Sequence, residues 1–246
     1  MARLGLIGVG AFGLLIVRHL APYFEIVAHD ISDQMGRRTK LFNIKMVNVE
    51  QVAQVDVLII AVPIPNIEDV ARRIAPHVRP NLLVLDVASV KEKPAEQLRS
   101  ILPEYVEIIC THPLFGPQSA QKSIYGMKIV LCPIRTRRLR LVTRFLEREL
   151  GLEVVLATPS EHDREIAAIQ GLTHLIAKVL VRMEPLPTSL RTNSFDLLMR
   201  AVNLVRHDSD ELFFAIEREN RYAADVRKKF FSVANDLNAL LDKVRP

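Results

Sequence analysis

Seven short, apolar, β-branched runs alternate with helical patterns between residue 3 and about residue 156, and no other feature constrains the fold as much. The runs cover residues 4–9, 25–29, 57–62, 82–87, 107–110, 128–131 and 153–156. Runs this short and this uniformly apolar read as strands covered on both faces, and alternation with helices implies a largely parallel sheet. Pro63, Pro65, Pro94 and Pro113 fall at strand exits, where the ligand-binding loops of such sheets lie.

The pattern changes at Thr158-Pro159-Ser160-Glu161. Threonine is suited to cap a helix, proline to its first position, and glutamate to closing a capping box. Ile166, Ile169, Leu172, Ile176, Val179, Leu180 and Met183 then recur at helical spacing. Pro185 and Pro187 break the pattern, and a helix follows around 194–206. Asp208 or Ser209 is placed to cap a final helix. There Ile216, Ala223, Val226, Phe230, Val233, Leu237, Leu240 and Val244 form a heptad seam. The expected fold is an α/β Rossmann domain with a mostly parallel sheet, residues 1–157, followed by an all-helical domain, 158–246. The helical half carries more apolar seam than it can bury alone, which predicts a homodimer.

The 246 residues are 49% hydrophobic and 25% charged, enough for a packed core, with a net charge of +5. The densest basic run, Arg135-Thr136-Arg137-Arg138-Leu139-Arg140, has no interleaved aromatics and reads as a solvated face rather than a nucleic-acid site. A mildly positive field suits a small anionic substrate. Cys110 and Cys132, both inside apolar runs, indicate a reducing compartment and neither a disulfide framework nor a metal site. The first strand begins at Arg3, and no apolar run approaches the ~20 residues of a membrane span. The expected location is the cytoplasm, or a plastid if a transit peptide has been removed, with no membrane association.

Gly8-Val9-Gly10-Ala11-Phe12-Gly13 lies between a strand and a helix, the context that makes such a loop a dinucleotide cradle. Gly8 turns the chain, Gly10 admits the pyrophosphate, Ala11 and Phe12 open the helix, and Gly13 allows close helix–strand packing. Asp30 ends the next strand, 22 residues past Gly8. That is close to the ~20-residue offset of an acid that binds ribose hydroxyls, and an acid there favours NAD over NADP. Arg37 and Arg38 pull toward NADP. Val62 and Pro63 end a further strand at the same edge and line the nicotinamide half by backbone contact, or simply terminate the strand.

Thr111-His112-Pro113-Leu114-Phe115-Gly116-Pro117 holds a histidine in a rigid surround at a strand exit. An imidazole, with an ordinary pKa of ~6.5, is a competent base near neutrality. Ser89 stands at the exit of the preceding strand. These two segments, with Glu161-His162-Asp163 and Gln170-Gly171-Leu172-Thr173-His174, resemble the prephenate/arogenate dehydrogenase family. The resemblance extends from the glycine loop to about Asn220 and is to the compact form, which lacks a chorismate mutase or regulatory domain.

The resemblance implies oxidative decarboxylation of prephenate to 4-hydroxyphenylpyruvate, or of arogenate to tyrosine, with hydride passing to NAD. His112 matches the catalytic base, Ser89 the serine that hydrogen-bonds the reacting hydroxyl and orients the histidine, and Lys91 a cofactor-side residue. His174 is implied at the substrate; His162 is either at the substrate or paired with Asp163. Gln118 follows Phe-Gly-Pro, where plant-type arogenate enzymes carry an acid, and an amide offers no charge to an ammonium. That favours prephenate. The family's carboxylate-binding arginine falls at Leu204 or Val205. Either a loop difference brings in Arg206, or the carboxylate is bound otherwise, with Arg200 and Arg221 as further candidates. Two rival readings are an imine or β-hydroxyacid reductase, which lacks the histidine segment, and a non-catalytic NAD-binding sensor, which needs neither base nor serine.

Overall fold

A computed structural model describes residues 1–32, 44–186 and 189–243. The chain divides into two compact units, Met1–His162 and Asp163–Pro246.

The first unit is built on one sheet of eight strands: β1 Arg3–Ile7, β2 Glu25–His29, β3 Lys45–Met46, β4 Val57–Ile60, β5 Leu83–Asp86, β6 Glu107–Pro113, β7 Lys128–Arg135 and β8 Glu153–Leu156. Their order is β3-β2-β1-β4-β5-β6-β7-β8. Every neighbouring pair is parallel except β6 and β7. Leu6, Leu58, Val84, Ile108, Ile109 and Leu131 are wholly buried, as strands covered on both faces require. The helix Ala11–Leu20 adds Leu15, Val17 and Leu20 to this core.

All seven expected runs are strands, but the pattern omits β3, whose two residues pair with Val27 and Ala28. A lysine and a methionine carry no apolar run to read. The β6–β7 pair also extends past the runs. Parallel pairing to β5 ends at Cys110, whereas antiparallel pairing carries Thr111, His112 and Pro113 on opposite Leu131, Val130 and Ile129. His112 is therefore held in a strand ladder rather than a turn. Cys110 and Cys132 are cross-strand partners and form no disulfide. Burial, then the Asp86 carboxylate, pushes the Cys110 thiol well above its ordinary pKa.

The basic run is only partly a solvated face. Arg137 and Arg140 are exposed. Arg135 instead donates to the carbonyls of Val106, Leu102 and Pro103, and Arg138 to the Glu107 carboxylate and the Asn81 carbonyl. Burial alone would raise the Glu107 pKa. The Thr136 hydroxyl, the Arg137 N–H and the Arg138 charge outweigh it and hold the group below its ordinary value.

The second unit is helical. The helix Pro159–Ile166 starts in the first unit, on the expected box: the Thr158 N–H donates to Glu161 Oε2 at 2.9 Å, and the Glu161 N–H to Thr158 Oγ1 at 3.2 Å. It continues through a π turn, Ala167–Gly171, into Leu172–Arg182. Asn193–Val205 is capped by Thr192, and Asp210–Phe214 by Ser209. The final helix is not the single seam expected. Ile216 is buried in a separate π turn, Ala215–Glu219, the chain is extended at Asn220, and only Ala223–Lys243 is continuous. Asn220 accounts for the break. Its amide donates to the Asp163 carbonyl at 2.7 Å and its Oδ1 accepts from the Tyr222 N–H at 3.0 Å, so its side chain competes with helical bonding. On the last helix Val226 and Phe230 are half-buried, while Val233, Leu237 and Leu240 are exposed. Arg37, Arg38, Pro187 and Val244 lie outside the described residues. Among those described, no helix is long and apolar enough to cross a membrane.

Candidate active site

The sheet order places β1 between β2 and β4, a topological switch point, where open α/β sheets bind ligands beyond the carboxyl ends of their strands. The glycine loop leaves β1 here. Gly8 has φ +95°, and a side chain on it would collide with the Ala61 carbonyl at 2.3 Å. A Cβ on Gly13 would lie 2.2 Å from the Gly8 carbonyl oxygen, so only glycine lets the helix Ala11–Leu20 press against the strand exit. At Gly10 a Cβ would meet nothing within 4 Å. That helix starts at Gly10 with no side-chain cap, so the open cradle and the unclaimed helix-end N–H groups fit a pyrophosphate.

Asp30 stands beside this loop. Its Oδ2 accepts from the Val9 N–H at 2.7 Å and its Oδ1 from the Ser32 N–H at 2.8 Å, which fixes the carboxylate at the end of β2. Each oxygen keeps a further lone pair, which fits ribose hydroxyl donors. Val62 is half-buried and Pro63 exposed after β4, on the same edge.

The next exit, after β5, holds a buried ion pair. Lys91 and Asp86 have side-chain exposures of 0%. The Lys91 ammonium donates to Asp86 Oδ1 and to the Thr111 carbonyl at 2.6 Å, and Thr111 Oγ1 donates to the Asp86 carbonyl. In this arrangement Lys91 joins the β5 exit to the strand that carries His112. Its place in an exit segment carried no sign that a carboxylate and a carbonyl would enclose it. Ser89 sits half-buried on the loop that the ion pair closes. Gln118 is half-buried in a turn closed by the Gly116 N–H on Ser119 Oγ at 2.9 Å and the Ala120 N–H on the Gly116 carbonyl at 2.9 Å.

His112, 4% exposed, ends β6 on this edge. Its Nδ1 lies 2.8 Å from Nε2 of His162, which is 3% exposed, and the rings meet edge-on at 71°. Of the two expectations for His162, contact with substrate or pairing with Asp163, neither describes this hydrogen bond. A partner 50 residues away leaves no trace in local spacing.

In the helical unit two expected substrate residues have partners of their own. His174 Nδ1 lies 2.9 Å from the Gln170 carbonyl and Nε2 3.1 Å from the Asp208 carboxylate, so both ring nitrogens serve the unit's own packing. Arg206 is bidentate to Glu184, at 2.7 and 2.6 Å, and its Nε donates to Asn203. Both side chains are held by partners within the helical unit. Neither partner is readable from the spacing: Glu184 directly precedes Pro185, where the helical pattern ends, and Asp208 reads as a helix cap.

A parallel sheet with a glycine cradle at its switch point and a histidine on the same edge defines a Rossmann-type, dinucleotide-binding fold. Residues 15–156, more than half of the chain, match the family model described as prephenate dehydrogenase, nucleotide-binding domain. The chain belongs to that family. A probable arogenate/prephenate dehydrogenase of Methanocaldococcus jannaschii is 27% identical over 79% of this chain and 45% of its own length. The chloroplastic arogenate dehydrogenase 1 of Arabidopsis thaliana is 29% identical over 92% of this chain and 37% of its own. The chain thus spans less than half the length of these two relatives. Among solved structures, prephenate dehydrogenase of Aquifex aeolicus, in complex with hydroxyphenyl propionate and NAD+, matches with TM-score 0.78 at 21% identity, covering 99% of this chain and 91% of that one. Synechocystis arogenate dehydrogenase matches with TM-score 0.72 at 19% identity, covering 98% and 92%. At these identities the structures establish a shared fold.

Proposed function

We propose that this protein catalyses the NAD-dependent oxidative decarboxylation of prephenate to 4-hydroxyphenylpyruvate. The observation that carries the reading is His112, held at the carboxyl end of β6 on the edge that presents the glycine cradle, in a chain of the prephenate dehydrogenase family. With Nδ1 engaged by His162, His112 acts through Nε2 and takes the proton of the ring hydroxyl, which the Ser89 hydroxyl orients. NAD, when bound, would supply the acceptor for the hydride on the carbon that bears that hydroxyl. The ring carboxylate then leaves as carbon dioxide, its bonding electrons restore aromaticity, and His112 returns its proton to the resulting phenolate oxygen. The proton taken is the proton given back.

Asp30 supports NAD, because a carboxylate beside the glycine loop repels a 2′-phosphate. Gln118 supports prephenate over arogenate, because a buried ammonium lacks a compensating charge there. Arogenate is the second reading, favoured by the names of the Arabidopsis relatives. The helical unit is assigned to substrate binding and to pairing two copies through the exposed seam of Ala223–Lys243. Two buried cysteines inside apolar strands suit a reducing compartment such as the cytoplasm.

The test is a parallel assay of prephenate and arogenate, each with NAD and NADP, read at the reduced-nicotinamide band. The expected result is the highest kcat/KM with prephenate and NAD. Turnover of neither substrate would overturn the enzymatic reading, and a preference for arogenate would assign specificity to residues other than Gln118.

A further inference from the structure

We propose that His162 is the positioning residue that sets the tautomer of His112, a role that rests on the functional reading above. The 2.8 Å contact joins two imidazole nitrogens, and a hydrogen bond between them holds one proton. If His162 donates, the proton of neutral His112 resides on Nε2, and that nitrogen has no lone pair for a substrate hydroxyl. If His112 donates from Nδ1, its Nε2 carries the lone pair and becomes the base. Catalysis therefore requires His162 Nε2 as the acceptor, which places the His162 proton on Nδ1.

The fold holds His162 in place against His112. It stands in the first turn of a helix begun by Pro159 and closed by the Thr158–Glu161 box, its own N–H donating to the Thr158 carbonyl at 3.0 Å. Its ring is buried edge-on to His112. When His112 gains a proton at Nε2, the Nδ1–H bond becomes charge-assisted and strengthens as the charge appears. A neutral acceptor in this place has a further consequence. A carboxylate would hold the imidazolium more firmly, whereas decarboxylation requires His112 to hand its proton back to the phenolate. The two histidines form one device with a base and an acceptor that orients it.

The experiment compares His162→Leu, which removes the acceptor, with His162→Gln, whose Oε1 stands near the position of Nε2. His162→Leu is expected to lower kcat by about 10²- to 10³-fold, as expected for a base left in the wrong tautomer. Substrate KM and NAD affinity should stay within about twofold, since the cofactor cradle is untouched. His162→Gln should recover most of the lost rate. Independently of activity, the ring ¹⁵N shifts of His112 should show a protonated Nδ1 in the parent and a gain of the Nε2–H form in His162→Leu. A parent His112 protonated on Nε2, a parent-like kcat in His162→Leu, or equal losses in the two variants would each overturn the proposal. If the parent turns over neither substrate, the ¹⁵N measurement still decides the tautomer, so the two failures are distinguishable.

Discussion

Buried polar groups of the sheet unit gather where β5 and β6 end, and several of the helical unit lie at or beside its π turns. In the first, Asp86, Lys91, Thr111 and His112 lie at the exits of β5 and β6, all at one edge of one sheet, joined by bonds between different strands. In the second, Glu217 sits in a π turn on Arg227, Asn220 interrupts the chain on the Asp163 carbonyl, and His174 spans Gln170 and Asp208. Parallel strands send their carboxyl ends to a common edge, so polar residues there converge and are available for chemistry. Polar residues at helix breaks satisfy the backbone groups that the break itself releases. Buried polarity alone therefore does not mark a site.

Four variants bear on that contrast, the largest expected effect first. His112→Asn should fold and bind NAD but lose about 10²- to 10⁴-fold in kcat, because the hydroxyl proton has no acceptor. Parent-like turnover would remove the chemistry from the sheet edge. Lys91→Met leaves the Asp86 carboxylate buried without its cation, a loss of about 3–5 kcal/mol. Thermal unfolding should show a melting temperature lower by on the order of ten degrees. If stability is unchanged and NAD affinity falls instead, Lys91 belongs to the cofactor site. In the helical unit, Leu237→Glu together with Leu240→Glu places charge on the exposed seam, and sedimentation should shift from dimer toward monomer. A parent that already sediments as a 27.8 kDa monomer would refute that pairing. The smallest effect is expected for Thr158→Ala, which opens the capping box at the start of the His162 helix for about 1 kcal/mol in urea unfolding. A loss several times larger would show that the cap supports more than its own helix turn.

The readable features share a physical basis. The strands, the glycine loop and the Thr158 box each depend on neighbours within a few residues. Apolar runs report burial on both faces, Gly8 and Gly13 report close backbone approach, and threonine with glutamate reports unsatisfied helix-end N–H groups. The helical unit was less legible for the same reason. A heptad count assumes an uninterrupted helix, and the π turns Ala167–Gly171 and Ala215–Glu219 shift its phase without any change in the spacing of apolar residues.

By itself the sequence determined the parallel sheet, its cofactor cradle and the presence of a histidine at the ligand edge, because periodicity and backbone sterics are local. Tertiary structure alone decided the partners of charged and polar groups. It enclosed Lys91 between Asp86 and Thr111, turned Arg206 to Glu184, occupied both nitrogens of His174, and brought His162 against His112. A polar side chain buried away from water must take whatever complementary group the packing brings within about 3 Å, and that group comes from any point along the chain.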